Sequence, residues 1–299
     1  MDIKLNPDKN LVLIDTSYFI IYRYYATLQW YKFKLNIKKY NKKEESPEIK
    51  DVKESPEIKD VEEIPVIDIE NLHTNEEFVA TFLRMCKQNF KKWQKDFKSL
   101  PANTLFCLDV ERKTIWRFDH HNTYKGTRES LKNFNSNFFT LFFDLLKSEG
   151  YNTLKSERLE ADDVIYLTIK YLRENCKYHK NITVITNDND LLQLKSFAEV
   201  CIINAKGLDI TTRGLGDPSK DVIYKIIYGD NGDNITPICD RIGKVTALKL
   251  TNMSEEDRME WINKKKCMEK YLLNDKLIRL TNIPHEYADN FTSKLKIIL

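Results

Sequence analysis

Nine carboxylates fall in five short groups along the chain, each at the end of an apolar run or in a polar turn. Leu11–Ile14 (LVLI) ends in Asp15, and Leu105–Leu108 (LFCL) ends in Asp109. Ile182–Ile185 (ITVI) runs through Thr186-Asn187 into Asp188, with Asp190 two residues on. Leu159–Val164 (LEADDV) carries Glu160, Asp162 and Asp163, and Gly229–Asn234 (GDNGDN) carries Asp230 and Asp233. One Asp after an apolar run is ordinarily a turn or N-cap residue, and acids at a helix start complement its dipole. Three acids in four residues exceed what capping needs, and their repulsion opposes folding unless cations neutralise it. No His or Cys stands in these groups, so the donors are all oxygen and suit a hard divalent cation, Mg²⁺ or Mn²⁺. Calcium storage is not expected, because no twelve-residue EF-hand loop is present. Two such ions about 3.5–4 Å apart would clamp the attacking and leaving oxygens of a phosphoryl displacement.

The basic counterpart lies between the second apolar run and LEADDV. Thr114–Arg128 holds Arg117 and then HHNTYKGTR, with Tyr124, Lys125 and Arg128. Cations among aromatics suit a phosphodiester with a base stacked nearby. Taken alone, the stretch would read as a solvated loop. Adjacent side chains diverge, so His120 and His121 read as structural rather than as a ligand pair.

The elements that must position these groups follow from the apolar pattern. Continuous apolar runs of strand length alternate with helical patterns at Asn75–Phe97, Ser130–Lys147 and Ala161–Leu172. A further short strand is expected near Val200–Ile203. This is an α/β class chain with a mostly parallel central sheet and helices on both faces. In such sheets functional groups gather beyond the carboxyl ends of the strands, where Asp15, Asp109 and Asp188 fall. Residues 1–218 are expected to form the core. After Pro218 the pattern shifts to short helices around GDNGDN, and 219–299 is expected to form a second subdomain. Lys38–Ile64 is rich in Lys, Glu and Pro and repeats ESPEIKD at Glu45–Asp51 and Glu54–Asp60. It has too little apolar surface to offset its ordering entropy and is expected to be a disordered insertion.

Composition bounds the function. Across 299 residues, 41% are hydrophobic and 11% aromatic, enough for a large core, which excludes a wholly disordered chain. Lys+Arg 48 against Asp+Glu 45 leaves a net charge of +3, which excludes a globally polybasic binder but not local patches. Six cysteines stand singly, without zinc spacing, and are expected to be reduced thiols of an intracellular, soluble protein. Neither a signal peptide nor a membrane-length apolar run is seen.

In this order and spacing, the Asp15 and Asp109 strands, YKGTR, LEADDV, ITNDNDLLQL, GDNGDNI and IGKVTALKL resemble the 5′ nuclease (flap endonuclease-like) family. The likeness is greatest to stand-alone 5′–3′ exonucleases of phages and large DNA viruses and to the 5′ nuclease domain of bacterial DNA polymerase I. The resemblance implies a nuclease core, a helical arch and a helix–hairpin–helix within 219–299. It implies that Asp15, Asp109, Glu160 and Asp162 surround one metal, with Asp163 beside them. Asp188, Asp190 and Asp233 would hold the second, with Asp230 nearby. Lys125 and Arg128 would act at the scissile phosphate at the arch entrance, with Arg117 and Tyr124 contacting the nucleic acid and Tyr124 stacking. Arg241, Gly243, Lys244 and Thr246 would bind duplex through the hairpin. There Arg241 replaces the family's first glycine, which puts a K⁺ site in question.

The implied activity is Mg²⁺-dependent hydrolysis of DNA with free 5′ ends or flaps, or of RNA primers in an RNA–DNA hybrid. A monomer is expected, with no membrane partner, and FTSKLKIIL contains no sliding-clamp peptide. Two alternatives stand beside it. A PIN-like RNase shares the acidic sheet edge but lacks the hairpin motif, and a non-catalytic DNA-binding relative would not need the full acid set. A haloacid-type phosphatase would need an Asp where Ser17 stands.

Overall fold

The computed structural model describes residues 2–44, 68–127 and 134–299. They form two compact units. The first comprises Met1–Phe19, Lys91–Ser130 and Leu146–Leu299. After the short strand β1 (Asp2–Lys4) it contains β2 (Leu11–Asp15), β3 (Thr104–Cys107), β4 (Asn152–Leu154), β5 (Ile182–Ile185) and β6 (Val200–Ile203). The last five form one sheet in the order β4-β3-β2-β5-β6, and every pairing is parallel. Leu13 sits between Leu105 and Val184 in the central register. Every residue of β2, β3 and β5 is buried, as their continuous apolar sequences require. From β2 the chain builds outward first through β3 and β4, then on the other side through β5 and β6. The strand order therefore reverses at β2, and a crevice forms beyond its carboxyl end.

Three helices run into the second unit, which comprises Ile20–Phe90 and Leu131–Leu145. They are α1 (Thr16–Glu44), α2 (Glu76–Asp96) and α3 (Asn137–Ser148). The second unit is held by aromatic packing: Tyr24 meets Phe78, Phe134 and Phe138 edge-on, and Phe138 also meets Phe82. Helix α1 continues to Glu44, so Lys38–Glu44, expected as the start of a disordered insertion, end a helix instead. Lys and Glu are good helix formers by type, so the helix propagates once α1 is nucleated. The remainder of Lys38–Ile64 lies outside the described residues.

The first unit continues with α4 (Ala161–Glu174), α5 (Pro218–Tyr228), α6 (Lys244–Thr251), α7 (Glu255–Lys264), α8 (Met268–Ile278) and α9 (His285–Lys294). Val164, Ile165, Thr168 and Leu172 of α4 are buried in the core that also receives Ile226 and Ile227 of α5. Helix α5 begins with the Asp217 side chain accepting from Ser219 N and with Pro218 in its first turn. It ends at Gly229, where φ is +81° and a Cβ would meet Ile235 O at 2.4 Å, so only glycine fits the turn into GDNGDN. β7 (Lys296–Ile298) pairs parallel with β1. Residues 219–299 belong to the same compact unit as the sheet, so no boundary between units falls at 218/219. The buried faces of α5, α8 and α9 join the core of α4 and the strands.

The expectation of six free thiols is corrected at one pair. The loop after α5 and the turn before α8 bring Cys239 and Cys267 to a Cα separation of 5.8 Å, and they form a disulfide. Cys86, Cys107, Cys176 and Cys201 are free. Among the described residues, no helix is long and apolar enough to cross a membrane.

Candidate active site

The crevice beyond β2 collects the first carboxylate group. Asp15 ends β2 and is nearly buried; its Oδ1 accepts from Tyr18 N (3.1 Å) and its Oδ2 from Thr186 Oγ1 (3.0 Å). Asp109, two residues past β3, accepts from Ala161 N at 2.9 Å and so fixes the start of α4 against the sheet edge. Glu160 is the N-cap of α4, and Asp162 lies in its first turn. Burial, then the charges of Asp109 and Asp188, push the Asp15 carboxyl up to about 7. Asp162 is raised well above the carboxylate range by burial and by Asp188 and Asp15, with Lys125 acting the other way. The buried Cys107 thiol beside them is raised by burial and then by Asp15, Asp162 and Asp109. These buried acids repel one another, and Lys125 offsets only part of that repulsion.

The second group forms where the turn after β5 meets the loop after α5. Carboxylate oxygens of Asp190, Asp230 and Asp233 lie within 4.8 Å of one another. Asp188 caps the 3₁₀ turn Asn189–Ser196 by accepting from Asp190 N at 2.8 Å. Asp230 accepts from Gly232 N at 2.7 Å, which closes the GDNGDN turn. Burial raises Asp190 to about 7, with Lys225 opposing and Asp188 and Asp233 reinforcing the shift. An all-oxygen donor set whose burial and mutual repulsion work against its negative charge fits a hard divalent cation.

Lys225, absent from the sequence-based site, lies inside this second group. Its ammonium pairs with Asp190 and with Asp230. Burial works against its charge, but Asp190, Asp188 and Asp230 raise its pKa above the ordinary lysine value. The available signal was a single lysine within the apolar run VIYKIIY, just before the acidic loop.

Tyr124 and Lys125 join the two groups. The Tyr124 hydroxyl lies 3.0 Å from Glu160 Oε2 and 2.9 Å from Asp233 Oδ2. Lys125 adopts φ +54°, donates its N–H to Asp233 O (2.9 Å) and pairs its ammonium with Glu160. Three expected roles change. Tyr124 is 2% exposed, so its ring is packed in the core and not open for a base. Arg117 is 3% exposed and grips Asp163 with two bonds of 2.8 Å, while also reaching Glu160 Oε2 and Leu277 O. Asp163 is fully buried and also accepts from Trp116 Nε1 at 3.1 Å, so it braces the site rather than facing a metal. Burial alone would lower the Arg117 pKa; Asp163, Tyr124 and Glu160 raise it well above the usual value.

Arg128 lies outside the described residues. Arg241, Gly243 and Lys244 are exposed at the start of α6, and Thr246 is half-buried in its first turn. A Cβ at Gly243 would meet nothing within 4 Å, so nothing in this chain requires glycine there. His121 Nε2 lies 2.8 Å from Asn234 O and fastens the Tyr124 loop to GDNGDN, a structural role.

A model of the 5′-3′ exonuclease N-terminal, resolvase-like domain matches residues 62–217. The 5′-3′ exonuclease of Buchnera aphidicola is 31% identical over 176 residues, which is 57% of this chain and 58% of that protein. DNA polymerase I of Streptococcus pneumoniae R6 is 29% identical over 191 residues, 59% of this chain and 21% of that protein. The chain thus spans about a fifth of the polymerase relatives and under two thirds of the exonuclease. The fold is that of a bacteriophage T5 flap endonuclease solved with DNA and metal ions. That likeness has a TM-score of 0.57 at 15% identity and covers 95% of this chain and 97% of that one. T5 5′-exonuclease with bound zinc superposes equally, at a TM-score of 0.57.

Proposed function

The chain belongs to the 5′–3′ exonuclease family, and on that premise we propose that it hydrolyses phosphodiester bonds in DNA bearing free 5′ ends or flaps, with Mg²⁺ or Mn²⁺. RNA primers paired to DNA are a second substrate under the same reading. The observation that carries it is the pair of carboxylate groups at the sheet crevice, joined through Tyr124, Lys125 and Glu160.

Asp15, Asp109, Glu160 and Asp162 would hold one ion, and Asp188, Asp190 and Asp233 the other, with Asp230 between Lys225 and the turn. Bound there, such ions would lower the pKa of a water and would neutralise charge building on the phosphate. The chain does the rest. Arg117 and Trp116 lock Asp163 and with it the first turn of α4, which aims Glu160 and Asp162 at the crevice. Lys125, poised on Glu160, offers its ammonium to the phosphate as negative charge develops. Arg128 is proposed to hold the ground-state phosphate on the arch side. Duplex would be gripped by Arg241, Gly243, Lys244 and Thr246. Arg241 has φ +61°, a conformation glycine adopts readily, which supports a hairpin reading in which a guanidinium takes the place of close approach to K⁺.

The test is cleavage of a 5′-flap duplex with and without Mg²⁺, by wild type and Asp162→Asn. Asp162→Asn should remove a ligand charge without changing volume, abolish cleavage and leave DNA affinity equal or higher. Near-wild-type cleavage by that variant would remove Asp162 from the site.

A further inference from the structure

Metal binding does not account for everything beside the second carboxylate group. A cavity of about 490 Å³ opens there, a size suited to a small organic ligand. Asp188, Lys225, Asp230, Tyr224, Tyr228 and Arg213 are among the residues that line it. The two tyrosines are one turn apart on α5 and stack on each other, with centroids 5.5 Å apart and planes inclined by 24°. Both remain half-exposed, while Val222, Ile226 and Ile227 already supply the buried face of the helix. The aromatic pair thus packs on the core with part of its surface and leaves the rest at a polar cavity wall.

The cations of the cavity differ in availability. Lys225 is tied to Asp190 and Asp230. Arg213 is exposed, is steadied by Asn187 through its O and Oδ1 at 3.5 and 2.9 Å, and has no carboxylate partner among the described residues. Asp221, also in the lining, is engaged by Leu215 N at 2.6 Å. What remains on offer is a flat π-surface, a guanidinium and an approach to the acidic group. Nucleotides complement this set: a base for the tyrosines and a phosphate for Arg213.

We propose that this cavity is a subsite for one nucleotide of a single-stranded segment, its base stacked on the Tyr224–Tyr228 pair and its phosphate on Arg213. The inference rests on the nuclease reading of the adjacent carboxylates, and it adds the side on which an unpaired nucleotide is held. Stacking on a tyrosine is sequence-tolerant, so the subsite accepts any base.

The test uses single-stranded 5′ overhangs carrying 2-aminopurine at each of the terminal positions in turn, bound to the full chain in Ca²⁺. Fluorescence reports stacking, and anisotropy of a distant dye reports binding. One position should be quenched by wild type. Tyr224→Ala/Tyr228→Ala should abolish that quenching and weaken binding about tenfold, the range expected for loss of one stacked base. Tyr224→Phe/Tyr228→Phe should preserve both signals. Arg213→Gln should keep the quenching but weaken binding and flatten its salt dependence. An abasic nucleotide at the quenched position should cost wild type a similar factor, with no mutation involved. Bound oligonucleotides that are quenched at no position, or quenched equally by the double alanine variant, would overturn the subsite, as would indifference to the abasic nucleotide. Wild type that stacks the base yet fails to cleave a flap in Mg²⁺ would instead sink the hydrolase reading and leave the subsite standing.

Discussion

Replacing Lys225 with Met tests whether the second carboxylate group is held together by a built-in cation. The ammonium pairs with Asp190 and Asp230, and the three side chains are 22%, 16% and 20% exposed. Removing one partner of a buried ion pair costs about 3–5 kcal/mol, and an ion pair at about 4 Å is worth about 4 kcal/mol at an effective dielectric constant near 20. Partial exposure moves the expected loss to about 2–3 kcal/mol. In a chain of this size that corresponds to a fall in Tm of about 5–10 °C in EDTA. Met conserves length and apolar volume, so packing contributes little of that change. Mg²⁺ should then restore more stability to Lys225→Met than it adds to wild type, because a bound ion replaces the missing charge and no longer competes with the ammonium. Thermal melts of both proteins across a Mg²⁺ titration read this directly. Equal melting in EDTA, or an equal Mg²⁺ shift in the two proteins, would refute the reasoning.

Asp15 and Asp190 both have folded-state pKa values raised to about 7, so the stability they contribute is complete below about pH 4 and is lost as pH rises through 7. Metal-free protein should therefore melt progressively lower from pH 5 to pH 8, and saturating Mg²⁺ should flatten the trend; a flat metal-free profile would count against crowded acids. Arg117→Met should destabilise the fold by about 3–5 kcal/mol in urea titrations, since it strands buried Asp163, and Arg117→Lys should rescue little because the paired bonds need a guanidinium. Unchanged stability in either variant would return Arg117 to a surface role. Lys125→Ala should slow single-turnover cleavage by about 10²–10³-fold while binding in Ca²⁺ changes little; wild-type cleavage of bound substrate would end that assignment.

The sheet and its acidic edge were legible because a fully buried parallel strand leaves an unbroken apolar run, and the residue after the run must lie at the edge. Asp15, Asp109 and Asp188 needed nothing more. The first turn of α4 was less readable. Successive helical positions point about 100° apart, so Asp162 and Asp163 had to face different surroundings. Which one met the crevice depended on Arg117 and Trp116, distant in sequence. Tyr124 and Arg117 read as surface residues because cations and aromatics in a loop usually are. Their burial follows from a loop folded down onto Glu160 and Asp233. Lys225 was hidden by the same bias, since a lysine in a helix is normally solvated. The Cys239–Cys267 pair depends on how α6 and α7 return the chain to its start point, which residue spacing does not encode.

The sheet register has a kinetic side. Val12 pairs with Thr104 and Leu11 with Ile182, so the strand bearing Asp15 gains its neighbours only when distant parts of the chain have closed on each other. No local fragment can gather the acids. Repulsion between the separate groups is felt only once these long loops have closed, when the entropy of closure has already been surrendered. A divalent ion that binds only the finished crevice therefore acts mainly by holding the native state shut, slowing its opening far more than it hastens its formation.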